Sequence, residues 1–295
     1  MNPVNEPTAT FWSYAIRGRN DGWRYFVTPL LAVLLAIIVT AAITVAFMIA
    51  GQAPADFARR AQNPAADPVT FFLFNGLVFA MFVAAFAAVI FLIHRKRFTD
   101  ILGAWRWRWV GGGFLVWAVV VVAGAGLDYA LQPSSFHWSA NRQTGALALA
   151  ALVGLAIQTF AEEFVFRGYL TQGLLLATKR TVPTAVISGL LFGALHIPNG
   201  WPQAANAVFF GIILALIAMR VGGIAFTYGI HLANNLFGAV VLVSGGDAFK
   251  GSPGLFTQNA PQLMWWDTLV GAAALAVVAV LVYRRPWTIS VAGAA

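Results

Sequence analysis

The sequence predicts an all-α fold, a polytopic transmembrane helix bundle of about eight spans with both termini cytoplasmic. Three observations predict it. Of 295 residues, 60% are apolar and only 9% are charged, where soluble domains carry about 25% charged residues. The mean hydropathy is +0.78. The apolar residues fall into runs of roughly 16–25, the length at which a helix crosses a bilayer, with one run longer. A single helical domain is expected over 27–285, with a catalytic core at about 146–243. A cytoplasmic segment, 1–26, precedes it and a cytoplasmic tail, 286–295, follows it.

The first run, 27–50, is too long and begins too late for a signal-peptide core, so it reads as a retained span. The second and third runs are 69–93 and 110–131. Between them Trp105, Trp107 and Trp109 alternate with Arg106 and Arg108, an aromatic and basic ladder expected to anchor at the membrane interface. The fourth run, 146–176, is longer than one crossing needs. It is expected to cross and then continue as an amphipathic helix along the cytoplasmic face. The fifth, 182–197, is short and ends at Pro198-Asn199-Gly200, which suits a tilted or partly inserted helix. The sixth, seventh and eighth runs are 203–219, 222–243 and 263–283, with Trp265 and Trp266 anchoring the outer end of the last. The loops 51–67 and 244–262 are short and leave no room for a soluble domain. No internal repeat is apparent.

Orientation follows from Lys and Arg. With the N-terminus inside, thirteen basic residues fall on the cytoplasmic side and four, Arg59, Arg60, Arg142 and Lys250, on the other. The net charge of +8 is therefore read as topology and contact with anionic lipid, not as nucleic-acid binding. The absence of cysteine excludes disulfides, thiolate metal sites and a cysteine nucleophile. The preference for Arg over Lys, with abundant Ala and Gly, suggests a GC-rich bacterial genome and so a bacterial inner membrane.

The chemistry lies in the few polar residues within the spans. Glu162 and Glu163 are the only acids expected deep in one. A charge at the bilayer centre costs roughly 2.5–3.5 kcal/mol on insertion scales, so such residues mark function by default. Consecutive helical side chains diverge by about 100°, so the two acids are not expected to share a partner. Arg167 lies one turn after Glu163 on the same face, where it pairs with that acid and leaves Glu162 free. His196 ends the fifth run, with Phe192 one turn before it. His231 and Asn235, one turn apart, offer two side-chain donors to one point, and Asn234 points elsewhere. Asn199, Gln203 and Asn206 are expected to cap or bridge helices near the break. His94 and His137 fall in loops.

Each group has a plain structural alternative: a charge triplet, a packed histidine, an interhelical hydrogen bond worth about 0.6 kcal/mol. Their joint presence favours one shared site. Gly-x-Ser-x-Gly and His-Glu-x-x-His are absent. A carboxylate beside a histidine suits activation of water. Donors aimed at a developing oxyanion supply the other half of amide hydrolysis, each worth roughly 2.7–4 kcal/mol in the barrier.

Three patterns occur in order: Glu-Glu-x-x-x-Arg at Glu162, Glu163 and Arg167; Phe-x-x-x-His at Phe192 and His196; His-x-x-x-Asn at His231 and Asn235. Together, on membrane helices, they resemble the CPBP intramembrane proteases. That family includes the CAAX prenyl endopeptidases and the bacteriocin-processing and immunity (Abi) proteins. The likeness covers about 151–237.

The resemblance implies an intramembrane endopeptidase acting on a protein or peptide in or at the bilayer. Glu162 and His196 would activate water, and His231 and Asn235 would stabilise the oxyanion. Glu163 and Arg167 would support the architecture, with Phe192 packed beside the site. Zinc is the alternative cofactor, held by Glu162, His196 and His231 with a water. The same residues serve a metal-free, glutamate-dependent mechanism, which is the reading preferred here, with no cofactor. A non-enzymatic immunity or scaffold protein is the second class. A proton-coupled transporter is the third, and the lack of a repeat argues against it.

Overall fold

A computed structural model describes residues 9–49, 51, 54–246, 249–260 and 263–285. Most of the expected N-terminal segment falls inside that range, whereas residues 1–8 and the expected tail, 286–295, lie outside it. The first of the described helices is short, α1 (Ala9–Ala15), and leads into α2 (Gly22–Ile49). After α3 (Pro54–Ala61) come α4 (Pro68–His94), α5 (Phe98–Leu102) and α6 (Trp107–Leu131). Strand β1 (Phe136–Trp138) precedes α7 (Thr144–Glu163), which continues through a π-helical turn (Phe164–Leu170) into α8 (Thr171–Thr178). Then follow α9 (Thr181–Ala194), α10 (Trp201–Val221) and α11 (Ala225–Leu236) with its own π-helical extension (Phe237–Val241). Strands β2 (Leu242–Ser244) and β3 (Phe256–Gln258) and helix α12 (Met264–Arg284) are the last of the described elements.

Among the described residues six helical stretches are long and apolar enough to cross a membrane, and α9, at 14 residues, is a shorter apolar helix. The fifth and seventh expected spans correspond to α9 and α11, helices of 14 and 12 residues that are not among the six. The fifth is short because Pro198 and Gly200 break it, as expected.

The segments alternate in direction. One end of the bundle gathers α1, the start of α2 and the α4–α6 turn. There Lys96 Nζ donates to Ala15 O at 2.8 Å, and Arg17 pairs with Asp100 at 2.8 Å. Gly103 also bridges to Gly223, and Arg220 donates to Tyr283 O near the end of α12. The opposite end holds a small sheet in the order β1-β3-β2, antiparallel then parallel. Residues Arg17 and Arg284 thus fall at the same end, as an even number of passages requires.

Local chemistry sets the boundaries. Asp67 caps α4 by accepting from Thr70 N at 3.0 Å, and Pro68 occupies the first turn, where no donor is lost. Helix α10 closes on Gly222 with φ 81°, a left-handed position that glycine tolerates. Two glycines seat the helices that carry the motifs. A Cβ on Gly154 of α7 would strike the Phe72 carbonyl of α4, and one on Gly229 of α11 would strike the Val110 carbonyl of α6. Small residues allow such close approach where no hydrophobic force drives helices together.

Three expectations are corrected. The end of the fourth segment does not run along a face: Thr171, Gln172 and Leu175 of α8 are buried. Its polar groups bond inward, Gln172 to Asp100 O at 2.7 Å and Thr171 to Ser188 at 3.2 Å. The tryptophan ladder is split. Trp107 is exposed, Trp109 is buried, and Trp105 packs on Phe160 and Tyr228, because the chain turns inward at the α5–α6 junction. His94 is not in a loop but is the buried last residue of α4, with Nε2 2.9 Å from the Tyr169 hydroxyl and Nδ1 2.8 Å from Arg19 O. Two further acids lie near helix ends. Asp128 of α6 and Asp267 of α12 line a common cavity of about 250 Å³, and both sit at the ends of apolar runs that read as boundaries.

Candidate functional site

Helix α7 and its π-helical turn bring three charges to one place. Glu163 and Arg167 are fully buried, with Oε1 and Nη1 3.2 Å apart, the pairing that their four-residue spacing predicts. The Arg167 guanidinium also lies 4.1 Å from the centre of the Phe192 ring, a cation–π contact that strengthens when desolvated. Phe192 has further aromatic neighbours, Phe166 at 5.0 Å, His196 at 4.6 Å and His231 at 5.9 Å. It is the packing centre of the site.

His231 of α11 enters between the two acids. Its Nδ1 is 2.9 Å from Glu163 Oε1 and its Nε2 is 3.4 Å from Glu162 Oε2. The expectation that Glu162 and Glu163 share no partner is therefore corrected. The two side chains do diverge, but so do the two nitrogens of an imidazole, and α11 sets the ring in the wedge. The other Glu162 oxygen, Oε1, accepts from Gln158 Nε2 at 3.3 Å. About 16% of the Glu162 side chain remains accessible against none of Glu163, so Glu162 is the more open of the two acids.

Residue 196 sits where α9 unwinds. Its Nδ1 lies 2.9 Å from Phe192 O. A carbonyl only accepts, so Nδ1 carries a proton and the neutral ring keeps Nε2 as an acceptor. Glu162, Phe192 and His196 line one cavity of about 970 Å³, together with Gln158, Phe166 and Asn199. Its far wall is apolar, from Val33, Ile37 and Thr40 of α2 and Val78, Phe79 and Phe82 of α4.

His231 and Asn235 are absent from that lining and stand behind it. Asn235 Nδ2 donates to the buried Thr159 Oγ1 at 3.2 Å. The donors expected to converge on one point are thus each engaged with a neighbour. Gln203 bridges to Gly246 O at 3.2 Å, as expected of it, and Asn206 lines the cavity of Asp128 and Asp267. Sequence reasoning missed Gln158 and Thr159. Their signal was available: each lies four residues before one of the paired acids.

His196 Nδ1 faces a carbonyl and His231 Nδ1 faces the Glu163 carboxylate, contacts that also orient metal-ligating imidazoles, while His231 Nε2 lies beside Glu162. Among the described residues no group of three His, Asp or Glu is placed to hold a metal ion.

Residues 144–237 match the family described as Type II CAAX prenyl endopeptidase Rce1-like. The match begins at the first residue of α7 and ends just beyond Asn235, so it contains all three motifs and is consistent with the CPBP family. The chain is 28% identical over 265 residues to the uncharacterized protein YyaK of Bacillus subtilis strain 168, covering 85% of this chain and 88% of that one. No solved structure matches the chain.

Proposed function

We propose that the protein is a CAAX-type intramembrane endopeptidase. It would hydrolyse a peptide bond of a membrane-associated or prenylated-type protein or peptide. The observation that carries this reading is the placement of Glu162 and His196 on one wall of an apolar cavity, inside the segment that is Rce1-like. Bacterial inner membrane is the proposed location, and the bilayer and the substrate are the proposed partners.

In this reading a water in the cavity gives its proton to Glu162 and attacks the scissile carbonyl carbon, with His196 Nε2 accepting its second hydrogen bond. The carbonyl oxygen becomes an oxyanion. A protonated Glu162 no longer holds the His231 Nε2–H, which turns to the oxyanion beside the second N–H of Asn235. Collapse of the intermediate breaks the C–N bond, and the Glu162 proton leaves on the amine. Glu163 and Arg167 hold the far side of His231. In this reading the mechanism is metal-free.

The test is cleavage profiling of the purified protein against Glu162→Gln, on a farnesylated fluorogenic CAAX-type peptide and on the same peptide without lipid. Product from the unaltered protein alone is expected. Equal product from both proteins overturns the reading.

A further inference from the structure

We propose that Trp117, Asn234 and Thr159 form a relay that fixes which end of the Asn235 side-chain amide faces the site. The inference rests on the oxyanion role proposed for Asn235. An asparagine amide is nearly symmetric in shape, yet one end donates and the other accepts. Flipping it replaces an oxyanion donor by an oxygen that repels the oxyanion. Something must set its sense.

The setting starts on α6. Trp117 Nε1–H can only donate, and it lies 3.1 Å from Asn234 Oδ1. Asn234 must therefore turn its oxygen to α6 and its NH₂ the other way. That NH₂ lies 3.4 Å from Asn235 Oδ1. Asn235 in turn must point its own NH₂ away from Asn234, where Nδ2 meets Thr159 Oγ1 at 3.2 Å. One Nδ2 hydrogen serves Thr159 and the second is left for the substrate.

Every link runs in the same direction, from an indole that cannot accept to an amide that must donate. Thr159 is fully buried and Trp117 is only 3% exposed, and Trp117 and Asn234 also line the cavity of Asp128 and Asp267. Three helices contribute, α6, α11 and α7. Trp117 also packs on Phe210 with centroids 5.8 Å apart, a contact that phenylalanine would largely keep. Trp117, Asn234 and Thr159 touch no reacting atom and act through Asn235, so they are positioning residues.

The experiment measures kcat and KM on the farnesylated peptide for Trp117→Phe, Thr159→Val and Thr159→Ser, each alone and combined with Asn235→Ala. Losing an oxyanion donor costs 10²–10³ in kcat, and partial flipping should cost roughly 10-fold. Trp117→Phe and Thr159→Val should lower kcat by about that factor with KM unchanged. Thr159→Ser should restore it, and none of the changes should matter once Asn235 is alanine. Unaltered kcat in Trp117→Phe and Thr159→Val overturns the relay, provided Glu162→Gln is inactive. An active Glu162→Gln overturns the protease reading instead. If the unaltered protein cleaves neither peptide, thermal melting of the same variants decides. Effects additive with Asn235→Ala overturn the relay, and non-additive ones support it.

Discussion

Glu163 and His231 meet at 2.9 Å, Oε1 to Nδ1, in a part of the bundle that excludes water from the carboxylate entirely. The same oxygen holds Arg167 at 3.2 Å. One buried acid thus compensates a buried guanidinium and orients an imidazole. Breaking such a pair leaves an uncompensated buried charge, which costs about 3–5 kcal/mol. Glu163→Gln is expected to lower the melting temperature in detergent markedly and to abolish cleavage. Adding Arg167→Met should recover much of the stability and none of the activity. A Glu163→Gln protein that melts like the unaltered one would show that the pair does not support the site.

His196 makes the opposite prediction. It lies at the frayed end of α9, partly exposed to the cavity, and its hydrogen bond is to its own helix. His196→Ala should therefore leave the melting temperature within a degree or two while reducing kcat by about 10²–10⁴, the range for a lost proton-transfer partner. A large loss of stability with only a small loss of rate would make His196 a packing residue.

These two residues also show where sequence reading succeeds and stops. The Glu163–Arg167 pair was legible because it lies within one helix, where a spacing of four fixes proximity. The short fifth segment was legible because Pro198 and Gly200 mark its end. Six of the expected spans followed from apolar run length. The contact of His231 with both acids was not legible, because it depends on how α11 rotates against α7, which the Gly229 contact with α6 helps to set. The indole of Trp117 read as one more apolar residue of a span, since only its partner, 117 positions away, shows that it donates. Asp128 and Asp267 were not singled out because each lies in a terminal turn of its helix, where a carboxylate can reach the membrane boundary.

Zinc makes a separate claim on Glu162, His196 and His231. If these residues work without metal, incubation with a strong chelator should leave cleavage in detergent unchanged within about a factor of two, well below the loss expected on removing an essential group. Activity lost to the chelator and restored by zinc would show that the three side chains rearrange around an ion. Measuring zinc content of the purified protein alongside the rate separates that outcome from chelator-induced unfolding.

Gly154 tests whether helix spacing positions the acids. A Cβ there meets the Phe72 carbonyl of α4, which is backbone and cannot rotate away. Gly154→Ala must push α7 from α4, eight residues before Glu162. Overpacking of this kind costs about 1–3 kcal/mol. The variant is expected to melt earlier and to lose kcat, since small displacements of a catalytic group are costly. Gly145→Ala, on the same helix with no atom within 4 Å of the added carbon, should be neutral or slightly stabilising. Equal behaviour of the two variants would show that the close contact of Gly154 with the Phe72 carbonyl does not position the acids.

Lys96 gives the pH dependence. It lies between α4 and α5, outside the spans, and is 1% exposed. Its ammonium donates to Ala15 O at 2.8 Å, Gln172 Oε1 at 3.2 Å and the Tyr25 hydroxyl at 3.3 Å, tying α1 to α8. Burial lowers its pKa from the ordinary 10.5 to about 8, with the nearby Asp100 charge opposing the shift. The unfolded chain keeps its proton up to the ordinary value, while the folded chain releases it near pH 8. Between those values the unfolded state binds more protons, so stability rises with pH. Below about pH 8 both states are protonated and the burial penalty is present in full, about 3 kcal/mol in total. The melting temperature should therefore climb between pH 8 and 9.5, a window that stops short of ordinary tyrosine ionisation. Lys96→Met should flatten that slope, because a thioether has no proton to release. Parallel slopes in the two proteins would assign the dependence to another group and leave the anchoring of α1 to its buried Phe11 and Ala15.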